Sequence, residues 1–213
     1  MRADPKTDEG CHESAMHCSR KSGVREESVV PAPVVIVEYD PRWPTLYEEE
    51  RERVQRAAGD LVIAVEHIGS TAVPNLGGKP IIDILAGVLS LEDAERCVEP
   101  LEGLGYEYVP EYNDIIPERR YFHKGPAEAR TYHLHMVEHT SDFWEKHLLF
   151  RDWLRLHPED AEEYCQLKRE LAARFGRDRE GYTDAKTVFI ESKIARARTA
   201  QRSGPELSGG GGQ

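Results

Sequence analysis

The block at residues 67–84, HIGSTAVPNLGGKPIIDI, constrains the folding of this chain more tightly than any other stretch. The apolar run VIAVEHI ends at Gly69-Ser70, and Pro74, Asn75, Gly77 and Gly78 then punctuate the chain. A second apolar run over residues 80–88 carries one acid, Asp83. This order reads as strand, small-residue turn, strand, with a carboxylate planted inside the second strand. A Gly-Ser turn lets backbone N–H groups come close to an anion, and the serine hydroxyl adds a donor. A carboxylate on the next strand is placed to hold the divalent cation that neutralises a phosphate. Together these features point to a site for a nucleoside triphosphate and its metal.

Around this block the apolar periodicity is easy to follow. Residues 34–37 form a short apolar run. Pro44 suits a first helical turn, Leu46, Val54 and Ala57 recur at helical spacing, and Gly59 closes that helix. Residues 61–68 and 80–88 read as strands. Residues 90–105 read as one helix, with Ser90 and Asp93 as a capping box and Gly105 as the stop. A short strand is expected at 106–109, and a hairpin with arms 119–124 and 130–138 turned through Gly125-Pro126. In the second arm Tyr132, Leu134 and Met136 alternate with His133 and His135, which puts both histidines on one face. Three helices follow, at about 141–156, 159–175 and 183–198. The expected fold is α+β, a mixed sheet with helices packed on one side and a helical C-terminal third.

Composition narrows the function classes. The 213 residues carry 28 Lys and Arg against 39 Asp and Glu, a formal net charge of −11. That surplus of acids disfavours non-specific adhesion to nucleic acid or anionic membrane. No apolar run approaches the roughly 20 residues that span a bilayer. The four cysteines, Cys11, Cys18, Cys97 and Cys165, form no CxxC pair, so the expected compartment is a reducing cytoplasm. Residues 1–30 read as a disordered leader, 31–199 as one domain and 200–213 as a flexible Gly/Ser-rich tail. Cys11, His12, His17 and Cys18 lie in that leader, and their spacing matches no common zinc module.

YDPRWP at 39–44, the 67–84 block, His133-x-His135, FRDWLR at 150–155, Tyr164 with Leu167-Lys168, and Tyr182 with Lys186 and Phe189 follow one another in order. On these segments the chain, over residues 34–197, resembles the GrpB family, proteins with a nucleotidyltransferase-like fold; a related domain occurs fused to some dephospho-coenzyme A kinases. The resemblance implies the nucleotidyltransferase scheme: a Gly-Ser turn holds the triphosphate and carboxylates on the next strand, ideally at i and i+2, bind Mg2+. Here the i+2 position is Leu85, which binds no cation. Asn75 stands where the family block usually has Gly, and Asn tolerates left-handed geometry well.

The expected site therefore places Gly69, Ser70 and Lys79 against the phosphates, with Asp83, His133 and His135 as catalytic or metal-binding groups. With imidazole in the set, Mn2+ or Zn2+ becomes an alternative to Mg2+. The opposing reading makes the two histidines, and His67 too, hydrogen-bonded sheet residues, and pairs Asp83 with Arg130 or Lys79. Arg120, Lys124 and Arg130 on the hairpin are expected to bring at least one base to a phosphate. Lys168 and Lys186 on late helices are expected to close the site. Two functions follow: transfer of a nucleotidyl group from a nucleoside triphosphate to a small-molecule acceptor, or a non-catalytic nucleotide- or metabolite-binding domain that lost its second carboxylate. A third reading is a metal enzyme built on Asp83, His133 and His135.

Overall fold

The computed structural model describes residues 33–203 apart from Glu128. The expected leader with its Cys11, His12, His17 and Cys18, and residues 204–213 of the expected tail, lie outside the described residues.

Helix α1 (Trp43–Ala58) begins with Pro44, whose missing N–H would be unsatisfied in a first turn anyway. A 3-10 turn at Gly59–Leu61 uses up the start of the apolar run, so strand β1 is Ala64–Ile68, shorter than expected. The next strand, β2, is Ile82–Val88. The single helix expected at 90–105 is two short ones, α2 (Leu91–Arg96) and α3 (Val98–Glu102). Pro100 explains the break: it has no N–H for the Arg96 carbonyl. The cap holds, since Ser90 Oγ accepts from the Asp93 N–H at 3.2 Å and donates to Asp93 Oδ2 at 3.0 Å. Strands β3 (Tyr106–Tyr108), β4 (Arg119–Lys124) and β5 (Tyr132–Glu138) follow. The C-terminal region is α4 (Asp142–Leu156), α5 (Pro158–Phe175), α6 (Arg179–Asp184) and α7 (Thr187–Ser203). Helix α7 thus extends into residues expected to be tail.

The five strands form one mixed sheet in the order β1-β2-β5-β4-β3. Its central pair, β2 with β5, is parallel, and the other pairs are antiparallel. A parallel pair needs a crossover connection, and α2, α3, β3 and β4 supply it. One face is apolar: Ile84, Ala86, Val88, Leu134, Met136 and Phe122 pack under α1–α3 against Trp43, Tyr47, Val54 and Leu101. Each such fully buried side chain is worth roughly 1.5–3 kcal/mol. The other face is apolar only at one end, where Leu85 and Val137 meet Trp144 of α4. Along the rest it carries Asp83, His133, His135, Tyr121 and Arg119. The C-terminal helices have their own core around Trp153, Tyr164, Cys165 and Ile194 and stand over this polar strip. Cys97 and Cys165 are buried free thiols. Among the described residues no helix is long and apolar enough to cross a membrane.

Candidate functional site

Between the polar strip and α4–α7 lies a cavity of about 460 Å³. Strand register decides what faces it. Asp83 pairs with His133 and His133 with His123, so the three form one row; Leu85, His135 and Tyr121 form the next. Side chains directly opposite one another share a face. His133 Nδ1 donates to Asp83 Oδ1 at 3.0 Å. Burial raises the Asp83 pKa, but the hydrogen bond to His133 and the nearby charge of Lys79 outweigh it and hold it below the usual carboxylate range. An ionised carboxylate only accepts, so Nδ1 carries a proton in this contact and Nε2 takes no part in it.

The Gly69-Ser70 turn packs directly on this pair. Gly69 has φ 71°, and a Cβ there would lie 2.5 Å from Asp83 Oδ2, so only glycine fits. Asn75 takes φ 64°, the left-handed geometry its place in the block requires. Ser70 Oγ accepts from Lys168 Nζ at 2.7 Å, and the same ammonium donates to the Gly77 carbonyl. Lys168 is 2% exposed, and among the described residues its ammonium meets Ser70 Oγ, the Gly77 carbonyl and the Tyr164 ring but no carboxylate at ion-pair distance. Burial pushes its pKa down to about 7. Burial, then the charge of Lys79, push Lys186 down to about 8. Lys186 and Lys79 both approach the Tyr182 ring, at 4.4 and 5.4 Å from its centroid. Three ammonium groups therefore converge beside a hydroxyl and a glycine turn.

Of the expected site residues, Gly69, Ser70, Lys79, Asp83, His133, His135, Lys168 and Lys186 line this one cavity. The three hairpin bases do not. Arg120 pairs with Glu95 of α2 at 2.8 Å, and Lys124 with the buried Glu50 of α1 at 2.8 Å. Both belong to the sheet face under α1–α3. Arg130 donates to the Gly125 carbonyl at 2.6 Å and lies 3.8 Å from Glu107. Asp83 is paired by His133 rather than Arg130, with Lys79 near enough for its charge to act on the carboxylate. His67 is structural. It shares a hydrogen bond with Thr71 Oγ1 at 3.0 Å and stacks on Tyr47 at 4.5 Å, and burial lowers its pKa to about 4.

Among the cavity groups that escaped the sequence reading are Arg119, Tyr121 and His147. Strand alternation separates Arg119 from Arg120, but only the pairing of Tyr121 with His135 shows which of the two faces the cavity.

The donor set does not fit a protein-held divalent cation. Among the described residues no three His, Cys, Asp or Glu side chains converge on a metal position. Asp83 is bound by His133, and position 85 offers leucine. His135 Nδ1 accepts from Arg119 at 3.3 Å, so its lone pair is taken and a guanidinium stands beside it. Burial, then that guanidinium, lower the His135 pKa well below its ordinary value, so the ring is neutral. Of the Asp83–His133–His135 metal site expected from sequence, His135 is occupied by Arg119 and Asp83 by His133.

A model of the family described as GrpB protein matches residues 33–196. UPF0157 protein YqkA of Bacillus subtilis is 40% identical over 170 residues, which are 80% of this chain and 47% of that protein. The chain therefore spans about half the length of that relative. A dephospho-CoA kinase of Mycobacterium tuberculosis is 29% identical over 194 residues, 81% of this chain and 48% of the kinase. The crystal structure of the conserved protein GrpB from Enterococcus faecalis superposes with a TM-score of 0.71 at 35% identity, covering 79% of this chain and all of that one. On this match in sequence and in three dimensions, the chain belongs to the GrpB family.

Proposed function

We propose that the cavity binds a nucleoside triphosphate whose phosphates rest on cationic side chains rather than on a metal held by the protein. The carrying observation is Lys168: a buried ammonium without a carboxylate, fixed by Ser70 Oγ beside the Gly69 turn. A buried ammonium held only by neutral oxygens is stabilised by an anion beside it, and a phosphate oxygen is such an anion. Lys79 and Lys186 add charge around the same turn. Asp83 and His133 supply a proton acceptor next to the phosphates, suited to a hydroxyl on a small-molecule acceptor. The relation to part of a dephospho-CoA kinase supports a role beside nucleotide chemistry. Metal-assisted nucleotidyl transfer, the stronger expectation from the family resemblance, has less support, because Leu85 stands where the second carboxylate would be. The cytoplasm is the compartment this reading assigns.

Calorimetric titration with ATP and GTP, with Mg2+ and with EDTA, tests the reading. Ser70→Ala is expected to weaken binding by about 1–3 kcal/mol through loss of a charge-assisted contact. Lys168→Met is expected to weaken it further, and EDTA to change affinity little. Equal affinity in wild type and both variants would place the nucleotide elsewhere. A strict requirement for Mg2+ would restore the metal reading.

A further inference from the structure

At the end of the cavity away from Ser70, Arg119 is a buried cation with no counter-charge. It is 9% exposed. Its one side-chain hydrogen bond runs to His135 Nδ1 at 3.3 Å, and its Nε is buried without a partner. Among the described residues no carboxylate lies within ion-pair distance of it. The neighbouring cations are already matched: Lys146 lies 2.9 Å from Asp142 and Arg151 2.6 Å from Glu66. A guanidinium does not shed its proton to escape burial. The rings of Tyr121, Tyr112 and Phe143 lie 5.0, 5.7 and 5.9 Å from its central carbon. The rings balance part of its charge but accept no strong hydrogen bond, so the N–H donors not used by His135 remain for an acceptor.

We propose that Arg119 anchors the carboxylate of a second ligand, a small organic acid bound in the same cavity as the nucleotide. The proposal rests on this cavity being the ligand site, as argued above. The chemistry favours a carboxylate over another phosphate. One planar fork matches one planar, singly charged group, whereas the lysines able to balance a phosphate cluster around Ser70 and Tyr182. Arg119 pairs with Val137, two pleat repeats along β5 from His133, roughly 13 Å at about 3.3 Å per residue. That spacing lets the two anions occupy the cavity together, with the aromatic walls taking the apolar part of the acid.

Thermal-shift and calorimetric measurements with sodium acetate, glutamate and benzoate, against chloride at equal ionic strength, test this on wild type, Arg119→Met and Arg119→Gln. ATP forms a separate arm. At least one carboxylate should raise the melting temperature of wild type. Both variants should lose about tenfold or more of that affinity, the scale of a charge-assisted contact, while retaining ATP binding. Arg119→Met removes an unpaired buried charge, so it should melt no lower than wild type without ligand. Arg119→Gln keeps a donor for His135 and carries the test if the methionine variant does not fold. No carboxylate effect in wild type, or an equal effect in the variants, overturns the proposal. So does collapse of both variants, which makes Arg119 a structural residue. Loss of ATP binding instead assigns Arg119 to the nucleotide and overturns the acid site alone. Carboxylate binding without any ATP binding upholds Arg119 and defeats the nucleotide reading.

Discussion

Lys168 and Lys186 make the charge of the cavity depend on pH. Burial holds their pKa values near 7 and 8, against 10.5 for an ordinary lysine. A phosphate favours the ammonium form, so binding above these values must take up protons. Nucleotide affinity should therefore fall as pH rises above about 7, by up to roughly tenfold per unit for each lysine involved. The unliganded protein should show the opposite slope. Between the folded and ordinary pKa values the unfolded chain holds more protons, so this contribution to stability grows as pH rises through that window. Calorimetry in buffers of different ionisation enthalpy measures the uptake directly; a flat affinity profile from pH 6 to 9 would remove the lysines from the site. Much of this site is legible in the sequence. Alternation puts His133 and His135 on one face, and the glycine turn points to Ser70 and Asp83. Arg119 is not legible, because its facing depends on the register between β4 and β5, which no local pattern encodes.

Elements are read well where local chemistry decides their ends and poorly where one residue cuts a long pattern. Ser141 caps α4 by accepting from the Trp144 N–H at 3.2 Å, and Gly176 ends α5, within a residue or two of the expected ranges. The stripe over 90–105 is continuous in apolar residues, yet Pro100 divides it. The third C-terminal helix is likewise preceded by a separate α6, whose N-terminus Asp178 caps through the Gly181 N–H at 2.9 Å. What fastens these helices to one another is buried charge. Asp160 of α5 accepts from Trp153 Nε1 of α4 at 2.6 Å and from Lys193 of α7 at 2.7 Å. Asp160→Ala leaves Trp153 Nε1 without its acceptor and Lys193 with Glu163 alone, 3.1 Å away, and should cost about 1–3 kcal/mol, read as a fall in the urea midpoint. Asp160→Leu combined with Lys193→Met should recover part of that loss, since an apolar pair replaces the ion pair while Trp153 Nε1 stays without its acceptor.

At the scale of the whole molecule, the site belongs to no single segment. Asp83 and His133 are 50 residues apart in the chain, and Ser70 and Lys168 are 98 apart. The first pair meets across the parallel seam β2–β5, and the second where α5 docks on the glycine turn. Helices and the β4–β5 hairpin close short loops; the seam and the docking close long ones, which pay more chain entropy before any contact rewards it. Competence to bind should thus be the last property a refolding chain recovers. After dilution from urea, far-ultraviolet ellipticity should return first and nucleotide binding in a later, slower phase; simultaneous recovery would show that the seam forms early. A half-folded molecule would then carry native helices and no ligand site, so exposure to nucleotide would select for chains that have completed both long-range closures.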